Sequence, residues 1–99
     1  MTEHELKIWP EYFKAVREGK KTFEVRKADR DYKTKDVLYL REWNPDINEY
    51  TGKWTKVRVG YILEGPLAVP GLCIMAIEQL FWRIGESPDE SQSRQKDEP

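Results

Sequence analysis

The chain has 99 residues, of which 35% are charged and 12% aromatic, and its formal net charge is −1. This length is typical of one domain with a small core. The single Cys excludes an internal disulfide and the single His leaves no zinc-binding spacing, so we expect neither a metal nor a cofactor. No apolar run is long enough to cross a bilayer, and we therefore expect a cytoplasmic protein without a membrane partner.

The charge is distributed unevenly along the chain. Residues 85–99 (GESPDESQSRQKDEP) hold five acids against two bases, whereas residues 17–35 hold eight bases against four acids. We interpret residues 1–82 as the folded domain and residues 83–99 as an acidic, disordered tail, because the tail lacks apolar periodicity. The tail is either a solubilising extension or a contact for a protein partner. The basic segment, at +4, can attract phosphate groups.

The first half of the domain predicts a strand, a helix and a second strand. Residues 4–9 alternate as a strand does. Pro10 suits the first position of a helix, and Gly19 suits the position just beyond its end. Residues 22–27 (TFEVRK) alternate again, and we expect Phe23 and Val25 to point to the core. Thr22, Glu24 and Arg26 would then share the opposite face.

The second half predicts strands joined by polar connections. Residues 28–36 indicate a loop, 37–43 a strand, and 44–53 a hairpin-like connection. Residues 53–63 predict a strand with Thr55, Val57, Val59, Tyr61 and Leu63 on one face and a bulge or bend at Gly60. Residues 72–82 are apolar enough for a central strand, or for a buried helix. The fold class is therefore α+β, with about five strands and one early helix. A small closed or half-closed β-barrel is favoured over an open sheet crossed by the helix.

The sequence carries no recognisable nucleophilic or metal-dependent centre. His4 shares a strand face with apolar residues, which indicates a hydrogen-bonded histidine at the edge of the core, or else a ligand-binding side chain. Cys73 lies in an apolar run, where a buried, inert thiol is expected. What remains is the charged group Lys21, Glu24 and Arg26, which forms either an exposed ion pair or the lining of a binding cleft.

A resemblance to a known family bears on that choice. Gly19, Lys21, Glu24 and Arg26 in GKKTFEVR fit the GxKxxExR signature of ASCH domains, which belong to the PUA-like superfamily. From residue 4 to residue 80 the chain resembles a family of small bacterial and phage proteins of unassigned function within that group. The resemblance implies a PUA-like β-barrel with the early helix packed against it and a cleft lined by the signature residues. Strands of this superfamily often open on a Gly-Asp pair, where this chain has Lys35 and Asp36.

The resemblance implies two kinds of function, and the composition adds a third. ASCH and PUA-like domains are thought to bind RNA or modified nucleotides. We expect Lys21, Glu24 and Arg26 to bind such a ligand, assisted by Thr22, Trp9 and Arg30. Trp9, Trp43 and Trp54 either stack on bases or pack in the core.

Some small ASCH proteins are instead amidohydrolases that deacylate N4-acylated cytidine with a Lys, a Thr and a Glu. Lys21 matches that lysine, but Glu24 stands where the threonine would fall. Lys21 and Glu24 would be catalytic only under this alternative, so the sequence leaves open whether the protein is an enzyme. A protein-interaction module without chemistry is the third alternative.

Overall fold

The computed structural model describes residues 1–84 of the chain. The predicted tail lies outside these residues, apart from residues 83–84, which end the last strand. The described elements are one α-helix, one short 3₁₀ turn over Gly65–Leu67 and five strands. Their bounds are β1 Glu3–Ile8, α1 Pro10–Arg17, β2 Phe23–Lys27, β3 Val37–Asn44, β4 Glu49–Leu63 and β5 Leu72–Ile84.

All five strands join one sheet with the order β1-β3-β4-β5-β2. β1 pairs with β3 in parallel, and the other three pairings are antiparallel. The sheet curls into a half-barrel with the helix against it, which confirms the predicted α+β class and the half-closed β-barrel. β1 and β2 are therefore the two edge strands, and the gap between them is called the seam below.

The helix begins and ends where the sequence predicts. Pro10 occupies its first turn, where a missing N–H costs nothing. Gly19 follows its end with a φ of +77°, a left-handed conformation that glycine adopts without a Cβ penalty. Phe13 and Val16, one turn apart, are buried in the core. The helix is thus held on the sheet by one apolar stripe.

The inner face of the half-barrel is a conventional apolar core. Neighbouring positions of the central strands supply most of it, and the helix stripe covers them. Its fully buried members from the strands are Leu38, Leu40, Val57, Val59, Cys73 and Met75. Burial raises the pKa of the Cys73 thiol, which agrees with the inert thiol expected from the sequence.

β4 differs in detail from the prediction. β4 begins at Glu49, four residues before the predicted start, because the hairpin turn is confined to residues 45–48. The predicted irregularity at Gly60 is confirmed, since β4 has one extra residue between Val59 and Ile62 relative to β5. That bulge reverses the alternation, so Tyr61 is exposed rather than on the core face. β5 is a strand and not a buried helix.

Within residues 1–84, no helix combines the length and the hydropathy needed to span a membrane.

Candidate ligand-binding cleft

β2 turns two charged side chains, Glu24 and Arg26, toward the core and its apolar ones outward. Glu24 is only 3% exposed, whereas Phe23 is 46% and Val25 43% exposed. The sequence correctly pairs Phe23 with Val25 on one face, but the prediction that this face points to the core is wrong. Opposite Glu24 and Arg26 on β5 stand Met75 and Cys73, both in the core. The charged signature therefore lies on the inner face of the half-barrel.

Buried Glu24 is paired with two partly buried cationic donors. Its Oε1 accepts a hydrogen bond from Lys21 Nζ, and its Oε2 accepts one from Arg26 Nε at 2.8 Å. An unpaired carboxylate would cost several kcal/mol at this depth. The two donors offset that cost, and in return the carboxylate fixes the positions of both cations.

The two cations are held at a second point each. Lys21 Nζ also donates to the carbonyl oxygen of Phe23 at 2.7 Å. Arg26 Nη2 donates to the carbonyl oxygen of Lys7 on β1 at 2.9 Å, across the seam. Arg26 thus links the two edge strands through a side chain, where a closed barrel would have backbone pairing.

A cleft of about 780 Å³ opens at this end of the seam. β1 and the start of α1 form one wall, and β2 with the segment before it forms the other. Its lining residues are Lys7, Ile8, Trp9, Tyr12, Lys20, Lys21, Phe23, Glu24, Val25 and Arg26. Four of these are basic and one is acidic, so the lining carries a formal charge of +3 in a chain whose net charge is −1.

Aromatic rings stand on both walls of the cleft. Trp9 and Tyr12 are 48% and 45% exposed, and their rings stack with centroids 6.4 Å apart and an angle of 17° between planes. Phe23 lies on the other wall, with the ammonium of Lys21 at 5.0 Å from its ring centroid. Exposed aromatic faces beside fixed cations can hold a flat, anionic ligand.

Comparison with known proteins places the chain in a family. The model of a family described as "Domain of unknown function (DUF3850)" matches residues 3–77. The chain belongs to this family.

A relative from Escherichia phage P2, an uncharacterized 12.9 kDa protein in the GpA 3′ region, is 43% identical over 56 residues. The match covers 57% of this chain and 50% of the relative, so the chain spans about half of that relative's length. These matches agree with the predicted resemblance to small phage and bacterial proteins of unassigned function.

The fold of this DUF3850 domain is similar to that of a solved ASCH protein. A mutant of ZmASCH from Zymomonas mobilis superposes with a TM-score of 0.67 over 98% of this chain and 84% of that chain. Sequence identity is 13%, so the likeness concerns the fold alone. It supports the predicted ASCH and PUA-like architecture.

The structure brings four of the six predicted ligand-binding residues together in the cleft. They are Trp9, Lys21, Glu24 and Arg26. Thr22 is exposed outside the lining, and its carbonyl oxygen accepts a hydrogen bond from the Ile77 N–H in the sheet. Arg30 lies farther along the seam, where its Nη1 is 3.5 Å from the carbonyl oxygen of Glu5 on β1.

Sequence reasoning missed six of the ten lining residues. Tyr12 was available as a signal, because it lies one helical turn after Trp9 and outside the apolar stripe of the helix. Phe23 and Val25 were assigned to the core because they are apolar. Nothing local distinguishes Lys7 and Ile8, which reach the cleft through the pairing of β1 with β3, or Lys20, which lies between α1 and β2.

A second buried acid lies elsewhere in the domain. Asp36 accepts hydrogen bonds from the N–H groups of Thr2 and Lys33, each at 3.0 Å, and its Oδ2 is 2.9 Å from Nε2 of buried His4. Burial raises the pKa of this carboxyl, but the hydrogen bonds from His4, Thr2 and Lys33 outweigh it and hold the pKa below its usual value. The ring of His4 packs on Tyr32 at 4.7 Å between centroids. His4 is therefore a hydrogen-bonded histidine at the edge of the core, the first of the two roles predicted for it from the sequence.

The residue before Asp36 takes the backbone conformation that glycine favours. Lys35 has a φ of +80°. Its N–H donates to the carbonyl oxygen of Val59, and the Val59 N–H donates to that of Asp36, both at 2.8 Å. A lysine thus takes a left-handed backbone conformation in this turn, against its steric preference.

The described part of the chain contains no group of three or more His, Cys, Asp or Glu side chains placed to hold a metal ion.

Proposed function

We propose that the cleft binds an unpaired nucleotide, within RNA or as a modified nucleoside. The observation that carries this proposal is the charge of the lining. Four of its residues are basic and one is acidic, and both oxygens of that acid accept hydrogen bonds from Lys21 and Arg26. The Lys7 ammonium lies 3.8 Å from the ring centroid of Trp43, which is not a lining residue, so the positive charge of the cleft comes from Lys20, Lys21 and Arg26. A fixed positive field in a concave, largely apolar site attracts phosphate groups and is independent of the chain's net charge.

The shape and the aromatic content fit the base and sugar. A cleft of about 780 Å³ falls within the range of about 300–1,000 Å³ usual for small-ligand sites. The stacked pair Trp9 and Tyr12 offers a platform for one base, and Phe23 adds a third aromatic ring to the lining from β2. Stacking of a base on such a ring is worth about 1–3 kcal/mol.

The cations have separate tasks in this arrangement. Arg26 is held by Glu24 and by Lys7, so its guanidinium is ordered before any ligand arrives. The Lys20 side chain is 78% exposed, and its only described ion pair is a surface contact with Glu18 at 3.4 Å, which is weak enough to be exchanged for a phosphate. We therefore assign orientation to Arg26 and Lys21, and long-range attraction to Lys20.

The two alternatives remain predictions with weaker support. Deacylation would need Lys21 to accept a proton or attack a carbonyl, and the structure uses its amine as a donor to Glu24 and Phe23. Glu24 occupies the place of the enzyme's threonine, and the described lining of the cleft contains no Ser or Thr. The protein-interaction alternative rests on the acidic turn at residues 44–50 and on the tail, of which residues 85–99 lie outside the described part of the chain.

The proposal is tested by titrating a labelled single-stranded RNA of about ten nucleotides at two salt concentrations. We expect affinity to fall as salt rises. Arg26→Ala should weaken binding about tenfold, because it removes a charge-assisted contact. Arg58→Ala is the matched control, since Arg58 is an exposed arginine outside the cleft lining.

Trp9→Ala supplies the second arm of this test. Loss of a stacking platform should weaken binding about tenfold, and the half-exposed position should leave the unfolding midpoint nearly unchanged. Wild-type protein that shows no salt-dependent binding overturns the proposal, and so do equal losses in Arg26→Ala and Arg58→Ala.

A further inference from the structure

The edge of β2 that faces the cleft carries unpaired main-chain groups. In an antiparallel pair, alternate residues direct both N–H and C=O to the partner strand. The Ile77 N–H donates to the carbonyl oxygen of Thr22, and the Ala28 N–H donates to that of Gly71. The even-numbered residues of β2 therefore bond to β5. Phe23, Val25 and Lys27 direct their N–H and C=O groups away from the sheet, into the seam.

The edge of β1 has the same organisation. The Val37 N–H donates to the carbonyl oxygen of Thr2, so the even-numbered residues of β1 bond to β3. The odd-numbered ones face the seam, and two of their carbonyl oxygens accept hydrogen bonds from across it. The carbonyl oxygen of Lys7 accepts a hydrogen bond from Arg26 Nη2, and that of Glu5 accepts one from Arg30 Nη1. Two open strand edges thus face each other, joined by arginine side chains rather than by backbone pairing.

The open groups are not equally available. The carbonyl oxygen of Phe23 accepts the ammonium of Lys21, and that of Lys7 accepts Arg26. Val25 lies next along the seam edge of β2 after Phe23, and it lines the cleft. Its N–H and C=O have no hydrogen-bond partner among residues 1–84, and they stand side by side on the seam edge. An open strand edge of this kind binds whatever presents a matching donor and acceptor.

We propose that the main-chain N–H and C=O of Val25 read the pairing edge of one nucleobase. This inference rests on the proposed function and narrows it. Each nucleobase carries a donor and an acceptor side by side on its Watson–Crick edge, and in a duplex the opposite strand occupies both. The ligand class is therefore unpaired nucleic acid. The base is read by backbone, and the side chains of Trp9, Lys20 and Arg26 hold its ring and phosphate.

Val25→Pro tests the inference directly. Proline removes the outward N–H of Val25 while leaving the bonds that Glu24 and Arg26 make to β5, and edge strands tolerate it on the solvent side. Val25→Ala is the matched control, since it removes the same side chain and keeps the N–H. We expect Val25→Pro to bind single-stranded RNA about tenfold more weakly than Val25→Ala. Both variants should show salt dependence and similar unfolding midpoints.

A change in the ligand supplies an independent arm that does not depend on folding of the proline variant. Homopolymeric RNAs of the four bases are first ranked by affinity for the wild-type protein. The tightest is then compared with its form methylated on the pairing edge, such as N1-methyladenosine or N3-methyluridine, and with its duplex. We expect both changes to weaken binding about tenfold or more.

The outcomes separate this inference from the proposed function. Absence of salt-dependent binding by the wild-type protein removes both. Normal wild-type binding with equal affinities of Val25→Pro and Val25→Ala, or with full tolerance of pairing-edge methylation, overturns the inference and leaves the proposed function standing.

Discussion

Glu24 and Asp36 are almost equally buried, and the domain uses them in opposite ways. Glu24 takes its hydrogen bonds from two side-chain cations of its own segment, Lys21 and Arg26. Asp36 takes two from main-chain N–H groups and one from His4. The first carboxylate orients charges that line a cleft, whereas the second has no charged partner at the surface. Burial of an acid therefore does not by itself indicate a functional site; the nature of its donors does.

The separation of the donors along the chain sharpens the contrast. Thr2 and His4 are more than 30 residues from Asp36, so this carboxylate ties the N-terminus and β1 to the turn before β3. The donors of Glu24 lie within three residues of it. We infer that Asp36 mainly stabilises the fold, whereas Glu24 mainly orients the cations that line the cleft. The following variants test this difference.

The largest effect is expected for Asp36→Ala. Three donors lose their acceptor inside the protein, so the free energy of unfolding should fall by about 2–4 kcal/mol in urea titrations. Asp31→Ala, at an exposed position of the same loop, is the control and should change it by less than about 0.5 kcal/mol. RNA affinity of folded Asp36→Ala should stay within about twofold of the wild type. A stability loss no greater than that of the control contradicts the role given to Asp36.

The same contact predicts how stability depends on pH. The folded pKa of Asp36 is lower than its unfolded value, so the folded state binds fewer protons than the unfolded state in that range. The contribution of Asp36 is therefore complete above the unfolded pKa of about 3.9 and is lost as pH falls through the folded pKa. Urea titrations between about pH 6 and pH 2 should show the difference between wild type and Asp36→Asn constant at first, then shrinking below about pH 4. If the difference in the free energy of unfolding between the wild type and Asp36→Asn grew on acidification, it would contradict a lowered pKa of Asp36 in the folded state.

Glu24→Gln should have a smaller effect on stability and a specific effect on binding. The free energy of unfolding should fall by about 1–2 kcal/mol, because Lys21 and Arg26 keep partial access to water. If Glu24 orients the cations, RNA affinity should fall about tenfold, although the variant is one charge more positive. If Glu24 only repels phosphate, affinity should rise. Glu18→Gln, which removes an acid next to Lys20 outside the lining, should bind as well as the wild type or slightly better.

The smallest effect is expected for Lys35→Gly. Glycine removes the steric cost of the left-handed conformation at position 35, but it also raises the chain entropy of the unfolded state. The free energy of unfolding should therefore rise by only about 0.5–1 kcal/mol. Lys33→Gly, at a position without a positive φ, should instead lower the free energy of unfolding by a similar amount. Equal changes in the two variants would show that the turn before Asp36 is not strained.

Local pattern predicted most of the fold. The alternation in β1, the proline and glycine that bound the helix, and the bulge at Gly60 are properties of a few neighbouring residues, and all are present in the structure. The early start of β4 was not predictable, because residues 49–52 become a strand only by pairing with the end of β3. The exposure of Tyr61 follows from the same bulge, whose register depends on β5.

The candidate site was predictable in its residues and not in its orientation. The signature placed Lys21, Glu24 and Arg26 together, and its strand parity was correct. In a strand with one buried face, the apolar side chains normally point to the core. β2, however, is an edge strand beside a cleft. There the charged side chains are buried because Arg26 reaches Lys7, 19 residues away, and because β5 supplies the neighbouring core. Neither contact is visible in a local window.

The order of the strands also dictates when the cleft can exist. All of its lining lies between residues 7 and 26, yet β1 and β2 do not pair with each other. β1 needs β3, and β2 needs residues 72–76 of β5. The roughly 50 residues between Lys27 and Ala76 take about 3–10 s to synthesise at usual rates of translation. During that interval the nascent chain carries every residue of the cleft and cannot hold its ligand, so binding begins only when the domain is almost complete.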